Sequence, residues 1–168
     1  AQRDWPALRE QVGSGGVRVI VSNTGDEGWR LDDRDTAAMP DHQAPRSFPA
    51  KLLRLLAERW RRCPEAALSI FPCELVTRNG DALRALILEL ARQWAQPDEF
   101  VDYLSHRVAW ANSLVDRIVS EALEPVGAVA EPYALWAIER QPGLVLPCTH
   151  PAIVLTDDLR SFERLKLH

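Results

Sequence analysis

Strand-like runs alternate with amphipathic helical stretches along this chain, and that alternation most constrains its fold. Residues 17–21 (VRVIV) form a β-branched run after GSGG, and residues 68–71 (LSIF) form a second run, stopped by Pro72. Both read as short strands. Between them Leu52, Leu53, Leu56, Ala57 and Trp60 recur at helical spacing. Lys51, Arg54, Glu58, Arg59, Arg61 and Arg62 take the other face. A further helix is expected over residues 81–95, with Leu83, Leu86, Ile87, Leu90 and Trp94 inward. A shorter one starts at Pro97-Asp98-Glu99 and runs to about His106, because proline and acids suit a first turn. Residues 144–146 and 152–155 are later strand candidates. The order predicts an α/β fold, a parallel sheet with flanking helices. A right-handed crossover then brings Asn23 and Cys73 out of adjacent parallel strands at one edge.

From Ser22-Asn23-Thr24-Gly25 to Pro49 the chain is polar, with Pro40, Pro45 and Pro49 and many Asp and Arg residues. A connection this long inside a compact domain is usually functional or mobile. The basic RWRR end of the first helix reads as cations solvating a helix C-terminus and complementing its dipole.

Composition narrows the classes of function. The chain has 168 residues, is 46% hydrophobic and 26% charged, and carries a net charge of −4. One domain is expected, with no basic face for nucleic acid. No apolar run approaches the roughly 20 residues of a membrane span. Cys63, Cys73 and Cys148 are odd in number and form no CxxC. They read as reduced thiols in a cytoplasmic protein rather than a disulfide framework or zinc site.

Several clusters could carry chemistry. Ser22, Asn23 and Thr24 follow the first strand, where open α/β sheets bind ligands. They can hydrogen-bond a nucleotide or simply make a turn. Cys73-Glu74 and Arg78-Asn79-Gly80-Asp81 should project from the same edge, with Asn79 a candidate cap for the following helix. Asp116 and Arg117 sit between Leu114 and Val119, so both are expected to be buried and paired, though not with each other. Glu131-Pro132-Tyr133 can line a pocket or equally serve strand or helix packing. Asp157-Asp158 reads as a solvated strand end, so no metal site is expected. The GSGG at 13–16 precedes its strand, whereas a dinucleotide fingerprint follows one, so it is not a cofactor loop.

Several longer segments resemble the long-chain mannitol dehydrogenase family. VRVIVSNT at 17–24 looks like the family's strand and turn in the middle of its nucleotide domain. FPAKLLRLL at 48–56 and FPCELVTRNGDALRALILELARQW at 71–94 look like its uronate-reducing branch, the tagaturonate reductases (altronate oxidoreductases). The mannitol-specific branch typically has SCDN in the second segment. VAWANSLVDRIVS at 108–120 fits the family signature, except that Trp110 replaces the usual Phe or Ser. AEPYALWAIE and TDDLRSFERLK match what normally follows. The family's SNTTEAG turn is SNTGDEG here, with Asp26 at the Glu position.

The resemblance implies a partial Rossmann-like sheet. Residues 1–156 would be the second part of a nucleotide domain lacking the Gly-rich loop, and residues 157–168 the start of a helical C-terminal substrate domain. It also implies an internal fragment of a longer NAD-dependent enzyme acting on a sugar acid or polyol. Lys166 falls on the lysine that opens the family's K-x4-N-x2-H motif, and the chain stops two residues later, so His168 is not that motif's histidine. In the implied mechanism Lys166 takes the alcohol proton as NAD accepts hydride. Asn79, or second Asn112, stabilises the alkoxide, and Ser22, Asn23 and Thr24 hold the nicotinamide half of the cofactor. The fragment alone is expected to be inactive. The alternative is a non-catalytic truncated module serving self-association or partner binding.

Overall fold

The computed structural model describes residues 3–25 and 27–165, with side chains described as far as Phe162. Asp26, Lys166 and His168 lie outside the described residues. Three parallel strands, β1 (Val19–Ser22), β2 (Leu68–Pro72) and β3 (Val108–Trp110), form one sheet in the order β1-β2-β3. The register pairs Ile20 with Ile70 and Ser22 with Pro72, so Asn23 and Cys73 do leave adjacent parallel strands at one edge.

Period-two alternation along β2 builds the layers. Leu68 and Ile70 face a core made by α2 (Phe48–Arg62), α3 (Asn79–Gln93) and α4 (Asp98–His106), where Leu56, Leu83, Ile87, Phe100 and Leu104 are buried. Phe71 points the other way, into a smaller cluster with Ala111 and Ile138. There a second, mixed sheet lies against the first. Its strands are β4 (Ser113–Asp116), β7 (Leu135–Glu139) and β8 (Ile153–Thr156), antiparallel and then parallel, in the order β4-β7-β8. α1 (Trp5–Gly13) packs on α2 through Trp5, Val12 and Leu55, joined by Ala44 from the connection before α2. β5 (Val119–Ala122) and β6 (Ala128–Ala130) make a separate hairpin that exposes Ile118, Val119, Val126 and Val129, and α5 (Leu159–Leu165) closes the described chain.

Several expectations are overturned. Residues 144–146 form no strand. Val145 instead gives its amide to Ser69 Oγ at 2.8 Å, while Leu144 and Leu146 pack on the Phe71 cluster. Arg59 is not a solvated cation. It is fully buried and donates to the carbonyls of Val12, Ala66 and Ala67 at 3.0–3.2 Å, because the α1 end and the α2–β2 turn close over it. Arg117 is exposed and gives Nε to the Glu131 carbonyl at 3.1 Å, and Asp116 is only half-buried. β4 is an edge strand that runs out into the exposed hairpin, so an apolar neighbourhood in sequence does not become burial here. Residues 29–47 of the long connection are held in place. Asp35 accepts the Arg46 and Ser47 amides and the Ser47 hydroxyl at 2.6–2.8 Å, and Trp29 and Leu31 pack on the main core.

Candidate active site

The C-terminal ends of β1, β2 and β3 meet the start of α3, and the candidate residues gather at that edge. β1 ends at Ser22, and the chain turns through Asn23 and Thr24. Cys73 at the end of β2 gives its amide to the Ser22 carbonyl at 2.8 Å, which carries the parallel pairing one step beyond the strands. Glu74 follows and is 8% exposed. Its carboxylate takes Ser22 Oγ at 3.0 Å, the Thr24 amide at 3.0 Å and Thr24 Oγ1 at 2.9 Å. Burial pushes the Glu74 carboxyl upward, but the donors from Thr24 and Ser22 outweigh it and hold the group below its ordinary value. The neighbouring Cys73 thiol is pushed up to about 11 by burial and by the Glu74 charge, so it stays protonated.

The turn itself needs glycine at 28. A Cβ there would collide with the Thr24 side chain that Glu74 holds, and the Gly28 amide closes the turn onto the Gly25 carbonyl at 2.6 Å. Asn23 is exposed, and its amide makes no hydrogen bond among the described residues. A Cβ added at Gly25 would meet no atom of the described residues within 4 Å. Of the three predicted cofactor residues, Ser22 and Thr24 thus face inward onto Glu74, and Asn23 faces out.

α3 starts at Asn79, two residues before the expected start, so Asn79 sits in its first turn and does not cap it. Arg78 occupies the cap position in the left-handed region (φ 50, ψ 52) and pairs with Asp81 at 2.6 Å and Glu139 at 3.3 Å. Asn79 is 1% exposed. Its Nδ2 reaches the carbonyls of Pro72, Glu74 and Ser113 at 2.8–3.1 Å, and its Oδ1 accepts the Gly80 and Ser113 amides at 2.9 Å. With both amide hydrogens engaged by backbone carbonyls, the side chain acts as a brace between β2, α3 and β4. Asn112 is 4% exposed. It accepts the Asp81 amide at 3.0 Å and gives one Nδ2 hydrogen to Glu139 at 2.6 Å, leaving the other without a partner among the described residues. Gly80 lets α3 approach this segment. A Cβ there would lie 2.5 Å from the Ala111 carbonyl carbon and 2.7 Å from the Asn112 nitrogen. A cavity of about 350 Å³ opens beside Asn112's partner Glu139, lined also by Thr77, Arg78, Asp158, Leu159 and Arg160. α5 begins on its wall, through Leu159 and Arg160.

The sequence reading placed Ser22, Asn23, Thr24, Asn79 and Asn112 at candidate positions, and the structure brings all five to one edge. It missed what Glu74, Gly80 and Ser113 do. The available signal was an acid immediately after one strand, level with a Ser/Thr turn after its parallel neighbour.

The sequence pattern of the mannitol dehydrogenase Rossmann domain matches residues 10–145. An altronate oxidoreductase of Enterobacter sp. (strain 638) is 43% identical over 107 residues, 62% of this chain and 22% of that protein. One from Klebsiella pneumoniae subsp. pneumoniae is 37% identical over 123 residues, 71% of this chain and 25% of that protein. The chain therefore spans about a quarter of the length of the relatives it matches. Among solved structures, Pseudomonas fluorescens mannitol 2-dehydrogenase, in a ternary complex with NAD and D-mannitol, superposes with a TM-score of 0.79 at 20% identity. The match covers 96% of this chain and 37% of that one. A substrate-free D-sorbitol dehydrogenase gives 0.76 at 17% identity, over 96% and 38%. At these identities the two structures establish the fold.

Proposed function

The chain belongs to the mannitol dehydrogenase family, and from that premise we propose that it is the segment of an NAD-dependent oxidoreductase that interconverts an altronate-type sugar acid and its keto form. The altronate oxidoreductase relatives support the sugar acid, and the NAD bound in the mannitol 2-dehydrogenase complex supports the cofactor. On this reading residues 1–156 belong to the nucleotide domain and residues 157–168 open the helical substrate domain.

The observation that carries the reading is the strand edge itself. Among the described residues Asn23 has no partner for its amide after β1, and Asn112 keeps one amide hydrogen unpaired next to Glu139, which lines a cavity together with the first residues of α5. The open turn at Asn23–Gly25 fits the nicotinamide half of a dinucleotide. The pyrophosphate needs a Gly-rich turn at a helix start, and this sequence has no G-x-G-x-x-G. When bound, NAD supplies the hydride acceptor for alcohol oxidation and, reduced, the donor for the reverse. Lys166 would take the hydroxyl proton as the C–H electron pair leaves carbon, so that the ketone forms with the proton held on the lysine amine. Asn112 stabilises the developing alkoxide, as an oxyanion donor does. Asn79 supports that site through the brace, its own hydrogens being engaged.

The test compares NADH formation from altronate by the 168-residue chain and by a polypeptide extended to the length of its relatives. The extended protein is expected to turn over and the short chain is not. Lys166→Ala in the extended protein should abolish turnover near neutral pH while NAD binding persists. An extended protein that leaves NAD unreduced with altronate overturns the assignment. One observation favours the reading as a self-associating module. The β5–β6 hairpin exposes Ile118, Val119 and Val126, with Val126 93% exposed. Concentration-dependent dimerisation of the short chain, lost in Val126→Lys, would support it.

A further inference from the structure

We infer that Glu74 is the positioning residue of the cofactor turn, the group that sets Asn23 toward NAD by fixing the residues on either side of it. The inference rests on the functional reading above and concerns how that site is built.

Glu74 lies in the FPCELVTRNG segment without an assigned role, yet its carboxylate is buried and receives three donors from one turn: Ser22 Oγ, Thr24 N and Thr24 Oγ1. No Lys or Arg pairs with it among the described residues. A buried carboxylate without a cation is costly unless its oxygens are hydrogen-bonded, and hydrogen bonds to an ionised acceptor are about twice as strong as neutral ones. These donors are supplied by positions 22 and 24 and skip position 23. The turn is therefore gripped on both flanks while the intervening Asn23 side chain is held out to solvent. The grip is anchored from behind. The Glu74 carbonyl accepts Asn79 Nδ2 at 3.1 Å, and Asn79 is bonded in turn to Ser113 on β4. One line of hydrogen bonds thus runs from the β1 turn through Glu74 and Asn79 to β4. A turn of Ser, Asn, Thr and Gly left to itself samples many backbone states, and a donor that wanders binds its ligand more weakly.

Glutamine at this position keeps the length and both acceptor contacts on one oxygen, and its NH₂ can donate to Ser22 Oγ. Alanine removes the grip. Aspartate keeps the charge but is one methylene too short to hold both flanks. Two measurements test the idea. In the 168-residue chain, amide hydrogen exchange at Thr24 should be on the order of tenfold faster in Glu74→Ala, close to the parent in Glu74→Gln and intermediate in Glu74→Asp. In the extended enzyme, Glu74→Ala should raise KM for NAD about tenfold, with kcat and the KM for the sugar acid within about threefold, and Glu74→Gln should restore it. A residue needed only for folding would lower the active fraction and leave KM unchanged. If Glu74→Ala does not fold, Glu74→Asp carries both measurements in the same directions. Unchanged Thr24 exchange overturns the grip. Faster exchange with an unchanged KM for NAD overturns its link to the cofactor while leaving the enzyme assignment intact. A parent enzyme that binds no NAD overturns both readings together.

Discussion

Asn79 and Ser113 exchange two hydrogen bonds across 34 residues of chain: Nδ2 donates to the Ser113 carbonyl at 2.8 Å, and Oδ1 accepts the Ser113 amide at 2.9 Å. A side-chain amide thus imitates a neighbouring strand and satisfies the first residue of β4, where the parallel sheet ends and the second sheet begins. The Ser113 hydroxyl adds a third tie, to the Pro72 carbonyl at 2.8 Å.

Asn79→Ala should therefore behave as a loss of structure. It leaves the buried Ser113 and Gly80 amides without acceptors, a penalty of about 3 kcal/mol. In a domain of this size that corresponds to a Tm lower by roughly 6–12 °C. Thermal unfolding followed by circular dichroism measures it. A drop under about 2 °C would show that the brace is dispensable.

Gly80→Ala sets two effects against each other. In a helix alanine is favoured over glycine by about 1 kcal/mol. Against that stands a Cβ 2.5 Å from the Ala111 carbonyl carbon and 2.7 Å from the Asn112 nitrogen, both backbone atoms that cannot swing aside. Overpacking of this kind costs typically 1–3 kcal/mol or more, so the net sign should be destabilising. Urea denaturation giving a stabilised variant would refute the close approach of α3 to the β3–β4 link.

Glu74 gives the acid side of the stability curve. Its folded-state value lies below the ordinary value of 4.5, so the native protein releases this proton more readily than the unfolded chain does. Its contribution is then fully present above pH 4.5 and is lost as pH falls through the lower folded value. The stability gap between the parent and Glu74→Gln should be constant near neutrality and shrink on acidification below that point. A gap that widens on acidification would reverse the sign of the shift.

Two arginines make opposite predictions. Arg59→Ala removes a fully buried guanidinium, leaves the Val12, Ala66 and Ala67 carbonyls under-bonded and opens a cavity, so a loss of roughly 3 kcal/mol is expected. Arg117→Ala touches an exposed side chain with one bond to a carbonyl and should change stability by less than about 0.5 kcal/mol. Equal losses in the two variants would contradict the burial pattern.

Periodicity determined much of the fold from sequence alone. The spacing of Leu52, Leu53 and Leu56, and of Leu83, Ile87 and Leu90, marks the two large helices. The runs at 17–21 and 68–71 mark β1 and β2, because burying one face of a helix or strand leaves a period that can be read off the chain. The order strand–helix–strand also placed Asn23 and Cys73 at one edge, and the motif resemblance gathered Asn79 and Asn112 beside them. The tertiary structure decided what no local pattern encodes. Arg59 and Arg117 have equally ordinary neighbours in sequence, yet one is enclosed by chain segments 47 residues away from it or closer and the other is left at a sheet edge. Asn79 is a brace, and Glu74 has its donors, because Ser113 and Ser22, 34 and 52 residues distant, arrive at hydrogen-bonding range. A hydrogen bond depends on angstrom-scale position, and only the packing of helices on both layers of strands fixes position to that degree.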